Sequence, residues 1–433
     1  MALLDETAMG LRDEQTMIAR RAALLGPAYR LFYERPLHLV RGAGVWLFDP
    51  QENAYLDAYN NVACVGHSHP RVVSAIAAQA GTLATHTRYL HTAPLDYAER
   101  VLGTLPGAID RMMFTCTGSE ANDLALRIAK MATGGTGVVV TQTAYHGVTE
   151  AVAAFSPSLC LPGGVPPHVR TVPAPCAYRS AGDPAMRFAA DVSAAFEDMK
   201  HCGVTPAVFI CDSVFSSDGI LDGPAGLIAP AVLAAREAGA LYVADEVQAG
   251  FGRTGDAMWG FQRHHVVPDI VTMGKPMGNG YPVAGLAARA DLIDTFGQNV
   301  RYFNTFGGNP VAMAAAGAVL DVLEDEGLMD NARDTGLYLK NRLSEIMSRH
   351  TVIGDVRGAG LFIGLEIVKD RREKTADPAR AVAIVNAMRD RRVLISASGT
   401  SGNVLKIRPP LVFSKADADL LADTLIDVLG NLD

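Results

Sequence analysis

Short apolar runs alternate with helix-like segments through the middle of the chain, and this alternation predicts the fold. Runs near residues 140, 210, 244, 272 and 286 have the length and composition of buried strands. One amphipathic stretch ends at Gly239 and leads directly into the next apolar run, as expected of a strand–helix–strand crossover. The pattern therefore predicts an α/β fold with a mainly parallel sheet covered by helices.

The pattern changes near residue 325, where long amphipathic helices surround the apolar run FIGLEIV and a last helix follows Pro409-Pro410. We therefore predict three parts. Residues 1–60 form a helix and a hairpin that pack with a small domain, residues 61–324 form a large domain, and residues 325–433 form the small C-terminal α+β domain.

Composition narrows the class of protein. The chain has 433 residues, 49% of them hydrophobic, and a formal net charge of −8, which disfavours a nucleic-acid-binding surface. Its six cysteines form no CxxC pair, as expected of free thiols in a reducing compartment. The N-terminus is acidic where a targeting peptide would be basic, and no apolar run is long enough to span a bilayer. We expect a cytoplasmic protein that binds neither nucleic acid nor membrane.

Two of the predicted strands end in chargeable side chains. Asp245 and Glu246 close the run ALYVADE, and Lys275 closes the run DIVTMGK. Sites in open α/β sheets form at strand ends. There a lysine can hold an aldehyde cofactor as a Schiff base while the aspartate protonates its pyridine nitrogen. This division of labour is the chemistry of pyridoxal phosphate. An ordinary buried ion pair is the alternative interpretation.

A second constellation suits a phosphate group. Thr117, Gly118 and Ser119 precede the helix DLALRIAKM, and a helix start offers free backbone N–H groups and the positive end of the helix dipole. Thr117 and Glu120 also have the spacing of a capping box, which explains the same residues without a ligand. Both interpretations can hold together.

Two further segments could contact a flat, phosphorylated ring. Tyr145 and His146 follow the run VVVTQTA, so an aromatic ring is expected at another strand end. Thr305 lies in the glycine-rich segment Asn304–Pro310 before a helix, where a hydroxyl could meet a phosphate. A core aromatic residue and a routine helix entry are the alternatives.

Other motifs carry less weight. Residues 250–255 match GxGxxG but run into GDAMWGF rather than a helix, so they disfavour a nicotinamide site. The pairs His67/His69 and His264/His265 lack a third ligand at a familiar spacing, so we predict no metal site.

Taken in order, TGSEAN, YHG, DEVQAGFGRTG and MGK resemble the motifs of the class III, or ω-type, pyridoxal-phosphate aminotransferases over about residues 30–430. The resemblance implies fold type I and a homodimer with active sites at the subunit interface. It implies that Lys275 carries the cofactor and that Asp245 contacts the pyridine nitrogen. The other cofactor contacts that it implies are Thr117, Gly118, Ser119, Tyr145, His146, Val247, Gln248 and, on the neighbouring subunit's cofactor, Thr305.

Two positions depart from the family pattern. Lys406 stands where members that bind α-amino acids commonly carry an arginine, and Ser217 stands where a glutamate neutralises that arginine. A lysine lacks the planar fork that grips a carboxylate at two points.

Four other stretches resemble the branch containing ethanolamine-phosphate phospho-lyase, whose substrate carries no α-carboxylate: LDAYNNVACVGHSHP, THTRYLH, PDIVTMGKPMGNGYPVAG and VLKIRPP. We therefore favour elimination of phosphate from a phosphorylated amine, with Arg88 and Lys406 as substrate contacts and Arg408 in reserve. Arg88 could equally lie on a helix surface or in the dimer interface. Transamination between an amine and a keto acid or aldehyde is the alternative function.

Overall fold

The computed structural model describes residues 14–432. Most of the acidic N-terminal stretch used above to predict localisation, residues 1–13, lies outside the described residues, as does residue 433. Within the described chain, no helix has both the length and the apolar character needed to cross a bilayer.

The described residues contain sixteen strands. In chain order they are β1 Arg41–Ala43, β2 Trp46–Phe48, β3 Ala54–Asp57, β4 Arg111–Thr115, β5 Gly137–Thr141, β6 Val169–Val172, β7 Pro206–Asp212, β8 Leu241–Asp245, β9 Ile270–Met273, β10 Ala284–Ala288, β11 Ile353–Ala359, β12 Phe362–Asp370, β13 Thr375–Ala376, β14 Val393–Leu394, β15 Ser396–Ser398 and β16 Val404–Ile407.

Twelve α-helices lie between them within residues 14–432. They are α1 Glu14–Leu25, α2 Pro70–Ala80, α3 Thr92–Leu102, α4 Gly118–Thr133, α5 Glu150–Ala153, α6 Pro184–His201, α7 Ala229–Glu237, α8 Ala290–Asn299, α9 Pro310–Asp325, α10 Leu328–Arg349, α11 Pro378–Asp390 and α12 Lys415–Leu432. Two short 3-10 helices span Pro157–Leu159 and Gly260–His264.

The central sheet has seven strands in the order β4-β10-β9-β8-β7-β5-β6. Strands β5 to β9 pair in parallel. Alternate side chains point to opposite faces, so Val139 and Phe209 join the core that contains α6 and α7, while Val138 and Val208 join the core that contains α4. The prediction of a mainly parallel sheet covered by helices is confirmed.

One apolar run grouped with the parallel strands has the opposite direction. Strand β10 pairs antiparallel with both β9 and β4. The connection from β9 to β10 covers only residues 274–283, which is shorter than the dozen or more residues that a parallel crossover needs. The strand therefore returns beside its predecessor, and its short connection keeps residues 274–283 at the edge of the sheet where β8 and β9 end.

The C-terminal part forms a separate antiparallel sheet, β11-β12-β16-β15, with β13 paired to β12. Helix α10 packs on β11, and α11 and α12 pack together beside this sheet. The hairpin β1-β2 and strand β3 form a third sheet with β14, which runs parallel to β3. Residues before position 60 and after position 390 thus share one sheet.

A buried arginine joins the central sheet to the C-terminal one. Arg253 follows β8 and is only 1% exposed. Its Nη1 donates a hydrogen bond to the carbonyl of Leu361 at 3.2 Å and another to the carbonyl of Pro409. Buried charge is tolerated only when such partners satisfy it, so this contact fixes the two sheets relative to each other.

A glycine inside α10 allows a close backbone contact. A Cβ built on Gly336 would lie 2.1 Å from the carbonyl oxygen of Gly360, in the turn between β11 and β12. Gly317 inside α9 has open space at the same position, with nothing within 4 Å. The two helical glycines therefore form a matched pair for testing this contact.

We predict that Gly336→Ala lowers the free energy of unfolding by about 1–3 kcal/mol, because the turn must shift to admit the methyl group. Gly317→Ala is expected to raise it by up to about 1 kcal/mol, because alanine favours a helix over glycine. Equilibrium urea unfolding measures both. Equal stabilisation by the two substitutions would contradict the close contact.

Candidate active site

The carboxyl ends of β8 and β9 bring Asp245 and Lys275 to the same edge of the central sheet. The two strands are parallel neighbours, with Asp245 opposite Thr272 in the register. Asp245 is the last residue of β8, and Lys275 lies two residues after the end of β9. Both side chains line one cavity of about 320 Å³, a size typical of small-molecule sites.

Asp245 is buried and fully oriented by hydrogen bonds. Its Oδ2 lies 2.7 Å from Nδ1 of His146 and accepts from Nδ2 of Asn122 at 2.9 Å, while Oδ1 accepts from the backbone N–H of Val247 at 3.1 Å. Burial alone would raise the pKa of this carboxyl, but these partners, His146 first, hold its pKa below the usual value. Asp245 is therefore a stable anion facing the cavity.

Lys275 makes no hydrogen bond or ion pair with any other described residue. Burial and, next, the charge of Arg408 lower its pKa, against the opposing pull of Asp245 and Asp212. A lower pKa increases the share of neutral amine near neutral pH. Since only the neutral amine can attack an aldehyde, the setting favours a nucleophilic role for Lys275.

The start of α4 forms another wall of the cavity, which Thr117, Gly118 and Ser119 line. Thr117 and Glu120 form the predicted capping box, which uses the side chains but leaves the backbone N–H groups of Gly118 and Ser119 without a protein acceptor among the described residues. Unpaired N–H groups at a helix start suit a phosphate. The capping and phosphate-binding interpretations of these residues are therefore compatible.

Two glycines allow parts of this wall to pack closely together. A Cβ on Gly118 would lie 3.0 Å from Val247, and a Cβ on Gly147 would lie 2.6 Å from Oγ of Ser119. Gly147 also has a φ of 145°, a conformation that L side chains rarely adopt. Ser119 accepts a hydrogen bond from the N–H of Val148 at 3.1 Å, which ties the segment after β5 to α4.

Tyr145, His146, Val247 and Gln248 also line the cavity. Burial, followed by the charge of Asp245, raises the pKa of Tyr145, so this residue is a neutral phenol. The amide of Gln248 is engaged at both ends: its Nε2 donates to Oγ of Ser216 at 2.6 Å, and its oxygen accepts from Arg408. The contacts of these residues with a bound cofactor remain predictions.

The other three predicted site residues do not line this cavity. Thr305 and Arg88 are exposed on two surface segments, which touch where the Arg88 guanidinium lies 3.7 Å from the ring centroid of Phe303. Lys406 is buried behind the cavity wall, and its Nζ donates to the carbonyl of Ser216 at 3.0 Å. Their proposed contacts with ligand require a second subunit or a movement of the wall.

The structure adds residues to which sequence analysis gave no role. Asn122 is the last residue of the TGSEAN motif, but the sequence predicted no role for it. Its contact with Asp245 becomes visible only in the folded chain. Glu246 is fully buried and accepts hydrogen bonds from Ser213 and from the N–H groups of Gly260 and Phe261. Burial raises its pKa to about 7. Its bonds to the Gly260–His264 helix indicate that it anchors the chain after Asp245.

The glycine-rich segment and the histidine pairs have structural explanations. The glycine-rich segment 250–255 forms turns, with Phe251 at a φ of 61°, and leads to a 3-10 helix rather than an α-helix. Nε2 of His67 lies 2.7 Å from Asp57, and Nε2 of His264 lies 2.8 Å from the carbonyl of Ser213. Among residues 14–432 no group of three potential metal ligands comes together.

These features fit the cofactor that the motifs implied. An amine, a buried carboxylate and unpaired N–H groups at a helix start surround one cavity. The amine suits the aldehyde of pyridoxal phosphate, the carboxylate suits its pyridine nitrogen, and the N–H groups suit its phosphate. Gly118 and Gly147 allow the segments that carry these groups to approach one another closely.

Comparison with known proteins gives a consistent result. The model of the family "Aminotransferase class-III" matches residues 32–429. An alanine–glyoxylate aminotransferase 2-like protein of Drosophila melanogaster is 41% identical over 91% of this chain and 83% of that protein. Ethanolamine-phosphate phospho-lyase homolog 1 of Caenorhabditis elegans is 37% identical over 94% of this chain and 91% of that protein.

A solved structure is similar over nearly the whole chain. It is a phospholyase from Arthrobacter in complex with phosphoethanolamine, with a TM-score of 0.93 and 44% sequence identity, covering 96% of this chain and 100% of that one. The similar proteins thus include both phospholyases and aminotransferases.

Proposed function

The chain belongs to the class III aminotransferase family and uses pyridoxal phosphate; from this premise we propose that it is a phospho-lyase. Its substrate would be ethanolamine phosphate or a similar phosphorylated amine. With ethanolamine phosphate, one water is consumed and acetaldehyde, ammonia and phosphate are released. The similarity to the phospholyase from Arthrobacter supports the proposal, and one feature of this chain's own site carries it.

That feature is a pair of buried cations that no acid neutralises directly. Lys406 and Arg408 are 7% and 5% exposed. Lys406 donates to the carbonyl of Ser216, and Arg408 donates to the carbonyl of Tyr59 and to the amide oxygen of Gln248. Within residues 14–432 neither has a carboxylate within salt-bridge distance. Both side chains are therefore hydrogen-bonded only to neutral oxygen atoms.

Such a pair should attract a dianion strongly. Burial and then Arg408 lower the pKa of Lys406, and burial lowers the pKa of Arg408 to about 10. Both shifts mean that each charge is poorly solvated. A phosphate monoester brought close would supply the missing counter-charge in a medium where electrostatic interactions are strong. Because Gln248 lines the cavity and accepts from Arg408, the positive charge lies directly behind the cavity wall.

The segment after β7 places no carboxylate in direct contact with this pair, although the charges of Asp212 and Asp218 act on Lys406 from a distance. Ser217 occupies the position where a glutamate was expected, and its carbonyl accepts hydrogen bonds from Ser398 and Gly399. Asp218, next in sequence, is committed to Thr141 and Thr143. An enzyme that alternates between two amino donors needs a charge that can be switched off, whereas a fixed positive charge suits one phosphorylated substrate.

The residues of the cavity can then divide the work of elimination. When bound, pyridoxal phosphate supplies an aldehyde for the substrate amine and a ring that withdraws electrons. Lys275 would remove the proton from the substrate carbon that bears nitrogen. Asp245 would hold a proton on the ring nitrogen. Lys406 and Arg408 stabilise the negative charge that grows on the departing phosphate.

Transamination is the second candidate function, because a 41% identical relative is named an aminotransferase. The same lysine and aspartate serve both reactions. The two functions differ in whether a keto acid or aldehyde must accept the amino group, and this difference decides the assay.

We predict that the enzyme loaded with pyridoxal phosphate releases equal amounts of phosphate, acetaldehyde and ammonia from ethanolamine phosphate without any keto acid. Phosphate can be followed by molybdate colour, and acetaldehyde by coupled reduction. No phosphate release, together with amine consumption that depends on a keto acid, would overturn the phospho-lyase proposal in favour of transamination.

Removing either buried cation should impair this reaction selectively. We expect Lys406→Gln and Arg408→Gln each to lower kcat/KM for ethanolamine phosphate by tenfold or more, the usual loss for one hydrogen bond to a charged group. Steady-state kinetics of phosphate release measure the effect, and circular dichroism checks folding. Arg187→Gln removes an equal charge from the exposed surface of α6 and should leave kcat/KM within twofold. Equal effects of all three changes would argue against a specific cationic site.

We also propose a homodimer in which Thr305 reaches the neighbouring subunit's cofactor. Large apolar side chains are exposed on the two segments that carry Arg88 and Thr305: Leu83, Tyr89, Leu90, Phe303 and Phe306. Exposed apolar groups concentrated in this way are typical of an interface. Covering them with a second copy of the chain would also bury Arg88.

Mixed dimers test this arrangement. A Lys275→Ala subunit lacks its own nucleophile, and a Thr305→Asp subunit would repel the phosphate in its neighbour's site. We expect each homodimer to be inactive, while a dimer of one subunit of each kind regains one intact site and up to half of the wild-type activity. An active Thr305→Asp homodimer, or no recovery on mixing, would contradict the proposed contact.

A further inference from the structure

The two oxygen atoms of Asp245 have different surroundings, and this difference suggests roles for His146 and Asn122. Oδ2 meets two side-chain donors, whereas Oδ1 accepts only from the N–H of Val247. We propose that His146 and Asn122 are positioning residues: they occupy Oδ2, present Oδ1 to the cofactor's ring nitrogen, and keep the shared proton on that ring. The proposal concerns the loaded cofactor and holds for either candidate reaction.

The ring of His146 is fixed as a donor to Asp245. His146 is 4% exposed, its backbone N–H donates to Oγ of Ser156 at 3.0 Å, and its ring packs near that of Phe155. Nδ1 faces a carboxylate oxygen and must therefore carry hydrogen. Nε2 is buried and has no partner among the described residues. His146 therefore acts as an Nδ1–H donor to Asp245.

Asn122 is held in the one orientation that supports Asp245. Its Oδ1 accepts from the hydroxyl of Thr272 at 2.7 Å, so its amide nitrogen must face the other way. That nitrogen donates to the carbonyl of His146 at 2.7 Å and to Oδ2 of Asp245 at 2.9 Å. One buried amide thus links α4, β9, the end of β8 and the segment after β5.

These contacts determine how Asp245 meets a ligand. Two donors saturate the Oδ2 side, so the remaining lone pair on Oδ1 is the acceptor available to a protonated ring nitrogen. Donors to an ionised carboxylate also lower its affinity for a proton. A proton shared between Asp245 and the ring should therefore stay on the ring, where it increases the withdrawal of electrons.

Other ionisable groups near this network must be considered before its titration is interpreted. Tyr145 interacts with the charge of Asp245, and Lys275 interacts with Asp245, Asp212 and Arg408. None of these groups donates a hydrogen bond to Asp245. Substitutions confined to position 146 or 122 leave all of them in place, so a change in titration reports the network itself.

The test compares variants loaded with pyridoxal phosphate in the absence of substrate. His146→Phe keeps a ring but removes the donor, whereas His146→Asn places an amide N–H near the position of Nδ1. The readouts are the pH midpoint of the visible absorption change of the bound cofactor and the dissociation constant of the cofactor.

We expect His146→Phe to raise the midpoint by about one pH unit and to weaken cofactor binding about tenfold, the loss of one hydrogen bond to a charged group. The sign follows from charge. A positive charge on the ring disfavours protonation of the Lys275 nitrogen that is bonded to the cofactor. When the ring loses its proton, that nitrogen therefore keeps its own proton to higher pH. His146→Asn should restore most of both values.

An unchanged midpoint and affinity in His146→Phe would overturn the proposal and leave His146 as a packing residue. Asn122→Ser, which removes the amide without adding bulk, provides the same test if His146→Phe does not fold, and it should shift both readouts in the same direction. Because no substrate is present, failure of the phospho-lyase proposal would not affect either result.

Discussion

The arrangement of the whole site depends on one constraint: β8 and β9 are adjacent parallel strands, so their carboxyl ends meet at one edge of the sheet. This brings a buried carboxylate and a buried amine to the same cavity although thirty residues separate them along the chain. The two do not form an ion pair. Asp245 is occupied by His146, Asn122 and the backbone of Val247, and Lys275 remains available for a covalent bond.

Charge is divided across this cavity. The groups around Asp245 hold the pKa of this carboxyl below its usual value. The pKa values of Lys275, Lys406 and Arg408 are all lowered, because burial and the repulsion of nearby cations disfavour their charged forms. A negative side can therefore hold a protonated ring, and a positive side can hold a leaving phosphate. Holding the protonated ring is common to both candidate functions, whereas holding a leaving phosphate is needed only for the proposed elimination.

Local patterns predicted much of this from sequence. The apolar runs predicted the strands, and the strand ends predicted the positions of Asp245 and Lys275. The small residues at the start of α4 predicted its exposed N–H groups. Two features were missed. An apolar run does not show its own direction, so β10 was grouped with the parallel strands although the connection before it is short, and the contact of Asn122 with Asp245 requires residues distant in sequence to meet. The ligand contacts of Thr305 and Arg88 remain predictions.

The central claim is that Lys275 carries the cofactor opposite Asp245, and one measurement tests it most directly. The loaded protein is reduced with borohydride, which makes the bond between lysine and cofactor permanent, then digested and analysed by mass spectrometry. The account predicts one phosphopyridoxyl group per chain, on the peptide that contains Lys275. A modification at another lysine, or none at all with bound cofactor present, would contradict it.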